Sequence, residues 1–271
     1  MYFVVGVILG IAVGYAYITI RNRREQSRFF AISEYWVYIP GEELPSQDKI
    51  MNLVLQGGAP VGTQEGLLFS DIRLHVALVL RAKNPHVFRP DIIADHITPT
   101  AEVLTALASS KAMIKIRYAS EIRLKSDAHL QLLPYLSYAY QKLGEGLAVY
   151  DVNQERLMTK DEFTALLKAN TNTKAAEFNI QTVWRPAELG GRVESRGLIK
   201  KGLPELVTDD VRADEKMLVE SLVEEAARKI WTENQIPDQV EIESYDDRFQ
   251  ILVSPPSKGR ARIRIMRLQT I

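Results

Sequence analysis

The run Tyr2–Ile20, YFVVGVILGIAVGYAYITI, constrains this chain more than any other stretch. It carries no charge, and Arg21, Arg23, Arg24 and Arg28 follow it closely. At 1.5 Å of rise per residue, a helix of this length crosses most of a hydrocarbon core about 30 Å thick. No Lys or Arg precedes the run, whereas a secretory signal opens with a positive segment. The sequence therefore predicts an uncleaved transmembrane anchor over 1–20 and a basic juxtamembrane segment over 21–33. Arginines on the C-terminal flank put the N-terminus outside and the C-terminal domain in the cytoplasm, as in a single-pass membrane protein. Gly6, Gly10 and Gly14 recur every four residues and share a helix face. That spacing lets backbones approach closely, so contact with a protein partner or a second copy is expected there. Arg21, Arg23, Arg24 and Arg28 are expected to meet anionic lipid headgroups.

Composition narrows the remaining options. The 271 residues include 34 basic and 34 acidic side chains, and without a basic excess no nucleic-acid partner is expected. Cysteine is absent, which removes disulfides, thiolate nucleophiles and thiolate metal sites.

Beyond the anchor the pattern is α+β, with strands and helices alternating over 34–190 as one mixed domain. Strands are expected at 34–39, 67–81, 113–118, 147–150 and 178–184. Within the second, the run Ile72–Leu80 alternates and then becomes continuously apolar, as in a strand covered on both faces. Helices are expected from Ser46 to Leu55, over 99–109, from Ser126 to Leu143 and from the capping box Thr159-Lys-Asp-Glu162 to Lys168. Pro134 is expected to kink or divide the third of these. Gly190-Gly191 marks the expected boundary to a subdomain over 191–271, a helix at 213–231 plus a three-stranded antiparallel meander. The stripe Val219, Leu222, Val223, Ala226 and Ile230 is expected to cover a meander face bearing Val240, Ile242, Phe249, Ile251, Val253, Ala261, Ile263 and Ile265.

The segment Arg196-Gly197-Leu198, then Gly202-Leu203-Pro204-Glu205, ahead of that helix, resembles a family of uncharacterised bacterial proteins of unknown function. The resemblance implies a bacterial origin, hence an inner-membrane location for the anchor, and an α+β domain. It implies no activity and no site residues.

Candidate chemistry is sparse. His86, Asp91, Asp95 and His96 are the densest set of metal-ligand types. If Pro90 opens a helix, Asp91 and Asp95 share a face while His96 points about 100° away, so no metal site is expected. His75 and His129 read as packed or solvated histidines. Gln56–Gly62 lacks the Gly-Lys-Ser/Thr ending of a phosphate loop and reads as a connection. Asp209-Asp210 and Asp246-Asp247 read as turn residues. Arg260, Arg262 and Arg264 share one strand face. They are expected to pair across strands with Glu241 and Glu243; a stripe for anionic lipid or an acidic partner is the other reading. No catalytic, cofactor-binding or metal-binding residue is assigned. The expected function is a membrane-anchored adaptor or structural subunit of a bacterial assembly, without catalysis. The alternative is a membrane-tethered enzyme of unknown reaction with its site in the 67–96 region. An extracytoplasmic domain follows only if the anchor inserts the other way round.

Overall fold

The computed structural model of the protein describes residues 30–89, 93, 99–188, 190–244 and 247–268. Strands β1 (Ala31–Ile39), β2 (Leu74–Leu80), β3 (Ala112–Ser120), β4 (Ala148–Asp151) and β5 (Arg156–Thr159) form a sheet in the order β2-β3-β1-β4-β5. All its neighbouring strands are antiparallel. Strands β6 (Gln181–Ala187), β7 (Gly190–Arg196), β8 (Glu205–Val211), β9 (Gln239–Ser244), β10 (Asp247–Val253) and β11 (Arg260–Leu268) form a second sheet in the order β6-β7-β8-β11-β10-β9. Only β8 and β11 run parallel there. The described helices are α1 (Gln47–Gln56), α2 (Thr63–Gly66), α3 (Ala101–Ser109), α4 (Ala128–Leu143), α5 (Lys160–Ala169), α6 (Ala176–Asn179) and α7 (Lys216–Glu233).

Alternation along the strands decides which helices go where. In the first sheet Val37, Ile39, Ile114, Ile116 and Val149 point to one face and meet Ile50 and Val54 of α1, Leu132, Leu133 and Leu136 of α4, and Phe163 of α5. The opposite face carries Tyr38, Met113, Ala148 and Tyr150, packed with Phe88 and with Val103 and Leu107 of α3. Thr159 caps α5 as its sequence predicts, accepting from the Glu162 N–H while the Glu162 carboxylate accepts from the Thr159 N–H. Pro134 does not divide α4, which continues through it to Leu143.

In the second sheet the meander face expected to want a helix lies against α7, whose Leu222, Val223, Ala226, Ala227, Ile230 and Trp231 are buried. The meander is joined to three further strands. β6 and β7 pair directly across Gly190-Gly191, so the second sheet begins at Gln181. Asp209 and Asp210 belong to the end of β8 instead of a turn, and Asp210 has φ 59°.

The expectation of a transmembrane fold is corrected. Among the described residues no helix is long and apolar enough to cross a membrane. The physical reason is amphipathicity: α7 has 18 residues but buries one stripe only, and the largely buried α4 has 16, short of the roughly 20 that a span requires. Tyr2–Ile20, with Gly6, Gly10 and Gly14, and the basic segment with Arg21, Arg23, Arg24 and Arg28, lie outside the described residues. The expected single-pass inner-membrane location is unsupported by this finding and is set aside.

Candidate interaction edge

Strand β2, read from its sequence as covered on both faces, lies at the edge of its sheet and pairs only with β3 among the described residues. Its burial shows the consequence. None of Leu74, His75, Val76, Ala77, Leu78, Val79 and Leu80 is fully buried, whereas neighbouring β3 is buried at six of nine positions. The hydrogen-bond parity can be read from its ends. The Arg73 carbonyl accepts from the Ala119 N–H at 3.1 Å, and the Arg81 N–H donates to the Lys111 carbonyl at 2.9 Å. Alternate residues of a strand direct both main-chain groups to the same side. Residues 75, 77 and 79 therefore bond β3, and Leu74, Val76, Leu78 and Leu80 direct theirs outward. Two of the outward groups are satisfied locally: the Leu74 N–H donates to the Asp71 carbonyl, and the Leu80 carbonyl accepts from the Lys83 and Asn84 N–H groups.

An open edge is a template for another strand, and proteins normally blunt it with charge, proline or brevity. The other three outer strands follow that rule. β5 is only four residues long, β6 carries Arg185 and Pro186, and β9 presents exposed Glu241 and Glu243. β2 has no Lys, Glu, Asp, Arg or Pro, and six of its seven residues are apolar. Its N-terminal flank adds exposed apolar surface at Leu67 (71%) and Ile72 (87%), with Ile122 (75%) in the loop after β3. The flank is braced. Arg73 Nη2 donates to Asp71 Oδ2 at 2.6 Å and Arg73 Nη1 to Ser120 Oγ at 3.5 Å, and the Tyr118 hydroxyl donates to Asp71 Oδ2 at 3.3 Å. The bonds from Arg73 hold the Asp71 carboxyl at about 2, well below the usual carboxylate range.

The histidines of this region do not converge. His75 is exposed on β2 opposite Arg117, and His86 sits in the 3-10 turn Pro85–Phe88 beyond the strand end. Asp91, Asp95 and His96 lie outside the described residues. Among the described residues no three His, Asp or Glu side chains form a group able to hold a metal ion.

A second site, absent from the sequence reading, joins the two sheets. The 3-10 turn Leu198–Lys201 packs on β1 and inserts Lys200, fully buried, into the first sheet's territory. Lys200 Nζ donates to Asp151 Oδ2 at 2.6 Å, to Asn179 Oδ1 at 3.2 Å and to the Tyr35 hydroxyl at 3.3 Å. Burial pushes the Lys200 ammonium below its ordinary range, and the Asp151 carboxylate opposes that shift. His129 Nε2 donates to the Lys200 carbonyl at 2.9 Å while its ring stacks on Tyr118, and burial lowers its pKa to about 4. Glu205 accepts from the Ser195 hydroxyl at 2.7 Å and from the Gly197 and Ile199 N–H groups at 2.9 and 3.1 Å. Burial raises its carboxyl to about 7 against those hydrogen bonds.

This geometry gives the residues of the 196–205 segment their structural roles. Gly197 (φ 110°) and Gly202 (φ 74°) bracket the turn in the left-handed region, and a Cβ on Gly197 would lie 1.8 Å from the Asn179 carbonyl oxygen. Arg196 pairs with Glu155 at 2.9 Å and Glu194 at 2.7 Å. The segment is a joint between sheets. Its legible signal was the glycine pair; nothing local marked Lys200 as buried.

The arginine stripe pairs differently from its expectation. Arg260 reaches Glu194 on β7 at 3.7 Å and Arg262 approaches Asp209 on β8 at 3.9 Å, because β11 lies between β8 and β10. Glu243 pairs with Arg248 at 3.1 Å. The Gly57–Pro60 connection walls a cleft of about 260 Å³ with Val54, Tyr135 and Leu167, with Lys142 and Lys168 also lining it. That is below the roughly 300–1,000 Å³ of small-molecule sites. Comparison with protein-family models, curated proteins and solved structures finds no match to this chain.

Proposed function

We propose that this protein is an adaptor or structural subunit of a protein assembly, without catalysis of its own, that docks through the open edge of β2. The observation that supports this most is the contrast among sheet edges. Three are blunted, while β2 exposes outward main-chain groups in an uncharged apolar strand beside Leu67, Ile72 and Ile122. Strand addition suits such an edge: main-chain hydrogen bonds supply attraction, and alternate side chains select the register.

The test is co-purification of the full chain from its own cells, compared with Ala77→Lys and Met217→Lys variants. Ala77 is exposed in the middle of β2, and Met217 is 83% exposed on α7, remote in sequence from that edge. Loss of associated chains with Ala77→Lys and retention with Met217→Lys is the expected result. The same associated chains in the same amounts from all three proteins would overturn the proposal.

A further inference from the structure

We infer that Lys200 and Asn179 join through an amide bond formed within the folded chain, with ammonia released and Asp151 carrying the proton. The inference is independent of the β2 edge. Three buried side chains converge from three elements: Asp151 at the end of β4, Asn179 at the end of α6 and Lys200 in the turn Leu198–Lys201. Lys200 Nζ lies 2.6 Å from Asp151 Oδ2 and 3.2 Å from Asn179 Oδ1. An amine out of water thus touches a base and an acyl group at once, the arrangement that activates a lysine nucleophile.

The orientation of the amide is fixed. Asn179 Nδ2 donates to the Thr173 carbonyl at 2.7 Å and to the Ala175 carbonyl at 2.9 Å. The reverse assignment would set the side-chain oxygen against two carbonyl oxygens. Oδ1 therefore faces Lys200, and the carbon that bears it lies only about 1.2 Å from that oxygen. A turn about the last lysine torsions carries Nζ from the oxygen to the carbon. Asp151 is held for the other role. Its Oδ1 accepts from the Asn153 and Gln154 N–H groups at 3.1 Å each, which leaves Oδ2 facing the amine. A carboxylate resists nucleophilic attack through its charge but readily takes a proton, so Asn179 is the acyl donor. The Tyr35 hydroxyl accepts from Nζ at 3.3 Å and stays neutral, because burial and the Asp151 charge oppose its ionisation.

Lys200 first passes one ammonium proton to Asp151 Oδ2, and the neutral amine attacks Asn179 Cγ. Burial, which lowers the lysine pKa, favours that neutral form. The Nζ–Cγ bond forms and the Cγ–Nδ2 bond breaks. Asp151 gives its proton to the departing nitrogen, which leaves as ammonia, and takes a second proton from Nζ. An ammonium, a carboxylate and a primary amide thus become a secondary amide, a carboxylic acid and ammonia, with no oxidant or co-reactant. The product carries no charge where burial makes charge costly. The bond closes β6 and β7 into a covalent ring running from Asn179 to Lys200.

The test is the mass of the intact, denatured full chain, followed by tryptic digestion. The expected mass is about 17 Da below that of the unlinked sequence, the loss of one ammonia. The digest is expected to hold residues 175–192 joined to residues 197–201, with no cut after Lys200. Lys200→Met and Asn179→Ala chains are expected at their own unlinked masses. Asp151→Ala is expected to stay unlinked, while Asp151→Glu regains at least part of the linked form. An unlinked native chain that trypsin cuts after Lys200 would overturn the bond, whether or not any variant folds. A loss of about 18 Da with Lys200 joined to Asp151 would overturn Asn179 as the acyl donor. The same extent of linkage in Asp151→Ala and Asp151→Glu would overturn the part given to Asp151.

Discussion

The joint around Lys200 and the edge of β2 solve opposite problems. At the joint, charged and polar groups are taken wholly out of water, and their partners come from within the chain: Asp151, Asn179 and Tyr35 for Lys200, Ser195 with two backbone amides for Glu205. At the edge, apolar side chains and backbone groups stay partly in water with no described partner on the outer side. Burying an unpaired charge costs several kcal/mol, so a chain must complete such a site itself. An unpaired edge costs little while water can reach it. The joint is closed within the chain, and the edge is the part that an assembly can complete.

The largest test of that contrast is Lys200→Met, which leaves Asp151 buried without its cation. A loss of about 3–5 kcal/mol in urea-induced unfolding is expected. A loss below about 1 kcal/mol would mean that water reaches the joint, and the contrast with the edge would collapse.

The pH dependence of the joint comes next. The Glu205 carboxyl is raised from 4.5 to about 7 in the folded protein, so folded chains bind more protons than unfolded ones across that window. Stability from this group is therefore full below pH 4.5 and declines as pH rises to about 7, by at most about 3 kcal/mol. His129 runs the other way. Its folded value of about 4, against 6.5 unfolded, removes stability as pH falls from 6.5 to 4. Between pH 4.5 and 6.5 the two slopes oppose each other. Unfolding curves of Glu205→Gln should rise more steeply with pH there than those of the native chain, and identical curves would show that Glu205 is solvated.

Gly197→Ala is expected to cost about 1–3 kcal/mol from strain at its positive φ, and more as Asn179 is displaced. Gly58→Ala also enters the left-handed region, but with nothing within 4 Å of the added Cβ, so its cost should stay near the lower figure. Equal losses would show that the turn at the joint has room to relax. At the other extreme, Ala77→Lys should change unfolding by less than about 0.5 kcal/mol while abolishing docking. A loss of stability comparable to that of Lys200→Met would show that the edge supports the monomer, contrary to the distinction drawn here.

Period and capping chemistry made much of the local structure legible. The capping box at Thr159, the stripe on α7 and the alternation of the final three strands are short-range signals, and each element formed where its pattern lies. β2 was legible as a strand but not as an edge. A continuous apolar run states that both faces prefer to leave water; it does not state whether the cover comes from the same chain. Lys200 was illegible for a related reason. Its acceptors Tyr35 and Asp151 lie 165 and 49 residues away, so no window of sequence contains the pairing. The cross-strand partners of Arg260 and Arg262 were misread because the sequence orders β9, β10 and β11, while the fold inserts β11 beside β8.

By itself, then, the sequence determined several of the helices and strands, among them the helix after Thr159, α7 and the final three strands, and that thiol chemistry is absent. Tertiary structure alone decided that Lys200 is interior, that the glycine-bracketed turn is a joint, and that β2 faces outward. Local propensity acts over a few residues, whereas burial and strand order are set by contacts between residues far apart in the chain.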